Sequence, residues 1–280
     1  MGERKTVNLD GASVIFWLIL LIGTIILAVP FIWMLLTSLK TYSESTSINP
    51  FVIFPEKPSL TAYSLVIRNN NFGRLYYNTI AMIAGRIFFA ILSGSMAGYA
   101  LGRLNFFGKS LCFSIILVQM MVPVQIFIIP QYLMIIKLDA TNTIFGLLFP
   151  GLVTAFGAFL LRQHFKALPS SVEESAKIDG ANPFQIYLFV MMPMVRSGMV
   201  ALGIFTALFA YKELMWPLIV NPATTAMTLS AALAKLQGQA ITYYPQLMAA
   251  ATLASIPIIV IYLFFQKQFI HGIATTGQQL

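Results

Sequence analysis

The chain has 280 residues, a mean hydropathy of +0.82 and only 9% charged residues, where a soluble domain carries roughly 25%. That excludes a soluble enzyme or binding module and implies a polytopic α-helical membrane protein. The net charge of +8 does not indicate nucleic acid, because Lys and Arg are scattered over loops rather than clustered with aromatics. Basic residues beside the cytoplasmic ends of membrane spans account for it better.

Six apolar runs are predicted to cross the bilayer: Val14–Leu36, Tyr77–Leu101, Ser110–Ile136, Thr143–Leu161, Ser197–Val220 and Gln246–Phe265. The first is too long for a signal-peptide core and is read as an uncleaved helix. Between the first two, Lys40–Asn71 carries Pro50, Pro55 and Pro58, which predict extended structure over a membrane surface and not another span. The one cysteine, Cys112, lies inside the third run, so no intrachain disulfide is possible. Trp17, Trp33 and Trp216 fall near predicted interfaces.

Loop charge sets the orientation. Arg103 and Lys109 follow the second span, and Arg162, Lys166, Lys177 and Arg196 follow the fourth. Only Lys137 and Lys235 follow the third and fifth. The first set is therefore cytoplasmic, with both termini inside. The organisation expected is an N-terminal tail, first span and external loop over 1–76, a five-span core over 77–266 and a cytoplasmic tail over 267–280. The first span reads as an addition to that core.

Within the core, Leu168–Pro193 is the polar exception. Ser170 with Glu173 and Ser171 with Glu174 offer two overlapping capping boxes. Gly180 is suited to end that helix in the left-handed conformation. Asn182 can cap a second helix with Pro183 at its first position, and Pro193 disturbs it before the fifth span. Ala176 and Gly180 share a face that another surface could approach closely, ringed by Glu173, Glu174 and Asp179. Two readings stand here: a docking surface for a water-soluble partner, or an amphipathic connector lying on lipid headgroups.

Polar side chains inside the spans are the other candidates. Arg86 falls in the second span and Lys212 and Glu213 in the fifth, where charges usually face a cavity or a partner. Being consecutive, Lys212 and Glu213 are expected to point about 100° apart on one helix. One would line a path while Arg86 or another subunit neutralises the other; alternatively both snorkel to the outer interface. Gln119, Gln125 and Gln131 dot the third span with Pro123 and Pro130 between them. Their amides suit sugar hydroxyls, or bond neighbouring helices. Motifs for chemistry are missing. Gly102 to Ser110 has five residues between its glycines where a phosphate loop needs four. His164 and His271 stand far apart, and no metal-ligand or nucleophile motif is present.

Glu174-Ser175-Ala176, Gly180 and then Val190, Met192 and Pro193 stand in the register of the EAA loop of ABC importer permeases, and this chain resembles that family. Ser175 replaces alanine, Val190 isoleucine and Met192 leucine. Asn78-Thr79, Ala97-Gly98-Tyr99-Ala100, Met121-Val122-Pro123, Asn142-Thr143, Leu160-Leu161-Arg162-Gln163, Leu236-Gln237-Gly238-Gln239, Met248-Ala249-Ala250-Ala251 and Phe269-Ile270 with Gly272 resemble its MalG-like, carbohydrate-uptake branch. Tyr211-Lys212-Glu213-Leu214 departs from it where relatives carry Trp-Asn before Pro-Leu.

The resemblance implies an all-α permease fold and a pore subunit paired with a homologous second permease. It implies two ATP-binding cassette subunits docked on the EAA loops, an extracytoplasmic sugar-binding protein, and the plasma membrane of a bacterium or archaeon. ATP and Mg would be bound by the partner ATPases, with no cofactor on this chain. The coupling residues implied are Glu173, Glu174, Ser175, Ala176, Asp179, Gly180, Ala181 and Pro193. The path candidates are Gln119, Gln125, Tyr211, Lys212 and Glu213. The loop Asn221–Pro245 would reach toward the binding protein. The rival reading is a secondary transporter driven by an ion gradient, for which Glu213 is the candidate acidic site but no repeated halves are found. A membrane-embedded enzyme would need a reactive cluster that is missing, and a scaffold subunit without transport is the remaining alternative.

Overall fold

A computed structural model describes residues 11–48, 51–238 and 242–277, all helix and connecting loop with no strand among them. Gln239 and the side chains of Phe269, Ile270 and His271 lie outside the described part. Among the described residues, three continuous helical segments are long and apolar enough to cross a membrane: Ser13–Ser38, Phe72–Arg103 and Tyr244–Leu263 (spans one, two and six), the first and last lying within the helices Gly11–Ser38 and Tyr244–Gly277. The other predicted spans are interrupted. Span three is Lys109–Met121 followed, after a 100° bend, by Val124–Lys137. Span four is Ile144–Gly151 and Ala155–Ala167, bent by 50°. The helix Arg196–Lys212 of span five meets the preceding Pro183–Met194 at 75°. It stops short of the predicted Val220, because Glu213 and Leu214 leave the helix before a short turn over Met215–Val220.

The chain divides into two compact units, one running through Asn70 and including Leu236–Ser255, the other formed by Asn71–Lys235 and the residues from Ile256 on. In the first unit, the segment that follows span one is less extended than its prolines predict. Short helices form over Tyr42–Thr46 and Thr61–Asn69. Thr41 and Glu44 make a capping box, and the second Glu44 oxygen accepts from the Glu56 N–H at 2.9 Å. Lys40 donates to the Val52 carbonyl at 2.6 Å and lies 4.3 Å over the Trp33 ring.

In the second unit, span two packs along span four through small residues. A Cβ on Gly98 would stand 2.9 Å from the Arg162 nitrogen, and one on Gly94 would stand 3.0 Å from the Gly157 carbonyl carbon. Bare backbone at these positions lets the helices touch, which lipid alone would not drive them to do. Two apolar cores result. The outer one gathers Met82, Ile83, Ile135, Leu147, Ala207 and Trp216, and the inner one Tyr99, Leu161, Phe165, Ile186, Met191 and Leu202.

Trp216 is not an interfacial anchor as predicted: it is 1% exposed, and its indole N–H donates to the Gly146 carbonyl at 2.9 Å. The break at Glu213 turns the following helical turn inward against span four.

Candidate functional site

Leu168–Pro193 forms a helix, a bend and a second helix. The first helix covers Ser170–Ile178 and ends at Gly180, whose φ of +81° is the left-handed value that glycine adopts without Cβ strain. Asn182 caps the second, with Pro183 at its first position and Gln185 closing a reciprocal capping box. The chain then winds as a π-helical turn over Ile186–Met191 before Pro193.

The first helix does not start as the serines predict. Pro169 is its N-cap and neither serine makes a capping bond. Glu173 is drawn inward instead, with its Oε2 at 3.1 Å from Arg103 Nε at the end of span two. Ala176 also turns inward, buried in the inner core rather than offered to an outside surface, and Ala181 packs beside it. Glu174, Ser175, Lys177, Asp179 and Gly180 face outward, as do Ile178 (86% exposed), Phe184 and Pro193.

A second polar cluster lies in the outer core. Arg86, 7% exposed, donates from Nε and Nη2 to the Leu147 carbonyl at 3.0 and 2.7 Å and pairs with the Glu213 carboxylate. Glu213 can reach it because it caps the helix in an extended conformation, so the 100° offset expected for consecutive helical residues does not apply. Lys212, the last helical residue, is exposed, and Tyr211 packs against the outer core. Gln119 and Gln125 flank the bend of span three and are both exposed.

The model for the family described as "Binding-protein-dependent transport system inner membrane component" matches residues 90–275, which includes the whole helix-bend-helix segment. The chain belongs to this family. This permease is 31% identical to the "Putative ABC transporter permease protein ORF2" of Caldicellulosiruptor sp., over 92% of its own length and 94% of that protein's. It is 28% identical to the "Arabinooligosaccharides transport system permease protein AraQ" of Bacillus subtilis, over 89% of each. With the "sn-glycerol-3-phosphate transport system permease protein UgpE" of Brucella suis it shares 28% over 98% of each. Its fold matches a chain from a crystal structure of a bacterial ABC transporter that imports the acidic polysaccharide alginate. The TM-score is 0.76 at 23% identity, covering 94% of this permease and 99% of that chain.

The structure also gives physical work to pairs that the sequence offered only as family marks. Asn78 donates to the Thr225 and Met227 carbonyls at 3.1 and 2.9 Å, and the Thr79 hydroxyl accepts from the Leu229 N–H. Asn142, at φ +58°, accepts from the Ala223 N–H at 2.9 Å. The Thr143 carbonyl accepts from Asn221, which also donates to Ala226. Together they pin the feet of the loop after span five. The available signal was the placement of two polar residues, Asn78 and Thr79, inside an apolar run: buried polar groups must bond something.

Proposed function

We propose that this permease is one of two membrane-spanning halves of an ABC importer for a carbohydrate or related polyol. Leu168–Pro193 is then the surface on which a cytoplasmic ATPase docks. The observation that carries the reading is the two-sidedness of that segment. One side is tied into the inner core by Glu173, Ala176 and Tyr187, while the other offers Glu174, Lys177, Asp179, Ile178 and Phe184 to whatever lies beyond. Lipid headgroups need no such fixed helix-bend-helix, whereas a docking partner does. The arabinooligosaccharide, diacetylchitobiose and glycerol-3-phosphate systems among its relatives favour a sugar or polyol substrate. ATP and Mg then belong to the ATPase subunits, a homologous permease completes the path, and an extracytoplasmic binding protein delivers the substrate. Closure of the ATPases moves the docked segments and shifts the path between inward- and outward-facing states. An ion-driven mechanism would need Glu213 free to take a proton, and Glu213 is engaged by Arg86.

The test is co-purification from native membranes after mild detergent extraction, with ATPase activity assayed on the eluate. A second permease and an ATPase recovered together, with the ATPase released by Glu174→Lys, is the expected result. The chain emerging alone or only with itself overturns the reading.

A further inference from the structure

We infer that Ser95, Tyr99 and Arg103 form a transmission stripe on span two, positioning residues that carry movement of the docked segment into the membrane. The inference rests on the docking reading above. These residues are spaced by four and share one helix face, and each touches the segment, Arg103 at its first helix and Tyr99 and Ser95 together at Tyr187 in its second. Arg103 holds its entry and first helix. Nη1 and Nη2 donate to the Leu168 and Pro169 carbonyls at 3.0 and 3.3 Å, and Nε faces Glu173 at 3.1 Å. Tyr99 packs between Phe165 and Tyr187, with ring centroids 5.5 and 5.3 Å away. Ser95 holds the second helix through a 2.8 Å bond to the Tyr187 hydroxyl.

The contacts are shielded as well as specific. The Arg103 and Glu173 side chains are 10% and 12% exposed, and Ser95 is fully buried. A planar guanidinium that donates to two backbone carbonyls and pairs with a carboxylate one turn further on fixes direction, which apolar packing alone does not. The adjacent carboxylates divide the labour: Glu174 faces out toward a partner, and Glu173 faces in to span two. Beside the stripe, Gly94 and Gly98 lock span two onto span four, so a push on the segment reaches two spans together.

The experiment uses the complex co-purified from native membranes. Cys112 is replaced by serine, and Thr224→Cys, on the exposed external loop, is labelled with a water-soluble maleimide before and after trapping with ATP and vanadate. A labelling rate that changes on trapping in the otherwise wild-type complex reports transmission to the outside. Arg103→Met is expected to keep the ATPase bound and lose the change. Arg103→Lys, which retains a charge for Glu173 but not the fork, recovers part of it. A purely space-filling role would instead be met by methionine. Should Arg103→Met fail to assemble, the milder Glu173→Gln carries the same expectation. Trapping with no labelling change in the parent complex overturns the inference. So does an unchanged response in Arg103→Met, or in Glu173→Gln where Arg103→Met does not assemble, and so does loss of the ATPase from both variants as from Glu174→Lys. If the parent complex yields no ATPase at all, the docking reading itself fails.

Discussion

Arg86→Met is the most informative single perturbation of the outer core. The Arg86 and Glu213 side chains are 9% and 26% exposed, so removing the guanidinium leaves a largely buried carboxylate without its counter-charge. Breaking such a pair from one side costs about 3–5 kcal/mol, and the partial exposure of Glu213 favours the low end. The Leu147 carbonyl also loses two donors, adding about 1 kcal/mol. A loss of about 4 kcal/mol lowers the melting temperature by roughly 8–16 °C for a protein of this size class. The double variant Arg86→Met/Glu213→Gln removes the stranded charge and is expected to recover about half of that. Thermal unfolding of the purified permease in detergent measures both. An unshifted melting temperature in the single variant, or a double variant less stable than the single, refutes the argument. Substrate uptake by Glu213→Gln addresses the separate question of the path: full uptake assigns Glu213 to structure alone.

Gly98→Ala is expected to push span two off span four, since the new methyl would sit 2.9–3.0 Å from the Arg162 and Leu161 backbone; overpacking of this kind costs about 1–3 kcal/mol and is read by the same unfolding assay. Asn78→Ala removes the side-chain donor of the Met227 carbonyl and leaves the Thr225 carbonyl with Arg74 alone, at a cost of about 1–3 kcal/mol, and proteolysis at the loop after span five should accelerate. Glu44 is held below the ordinary carboxylate range by hydrogen bonds from the Thr41 N–H and hydroxyl and the Glu56 N–H. A depressed carboxylate contributes its stability above its unfolded value and loses it as pH falls through the folded one. Protease resistance of the Thr41–Glu56 segment should therefore hold at neutral pH and drop on acidification, and Glu44→Gln should abolish that pH dependence.

The apolar helices and the helix-bend-helix segment were legible where the signal is local. Apolar run length reveals the crossings, and Gly180 and Asn182-Pro183 mark their turns by backbone preference alone. What stayed hidden depends on a distant partner. The serines at 170 and 171 read as caps, but the helix begins ahead of them with Pro169 as its N-cap, and Glu173 pairs with Arg103, 67 residues before Ser170. Trp216 reads as an interfacial ring until the Gly146 carbonyl captures it. The breaks in spans four and five leave little mark in hydropathy, because the groups that make them tolerable come from other helices. Ala176 and Gly180 do not share a helix face as their spacing predicts: the helix ends at Ile178, Gly180 lies beyond it in the left-handed conformation, and Ala176 faces its own core beside Tyr187 and Met191.

The interrupted spans differ in how their freed backbone is satisfied. In span four the Gly146 and Leu147 carbonyls are taken by Trp216 and Arg86, and Thr154 serves the Gly157 N–H. In span five the Glu213 carbonyl accepts from Ser230 at 2.8 Å. At the 100° bend of span three, no side chain among the described residues bonds the backbone from Val122 to Phe127, and neither flanking helix end there has a side-chain cap. Hydrocarbon cannot supply those bonds. That corner of the chain, with Gln119 and Gln125 on either side of it, is therefore expected to face water or another polypeptide and not acyl chains.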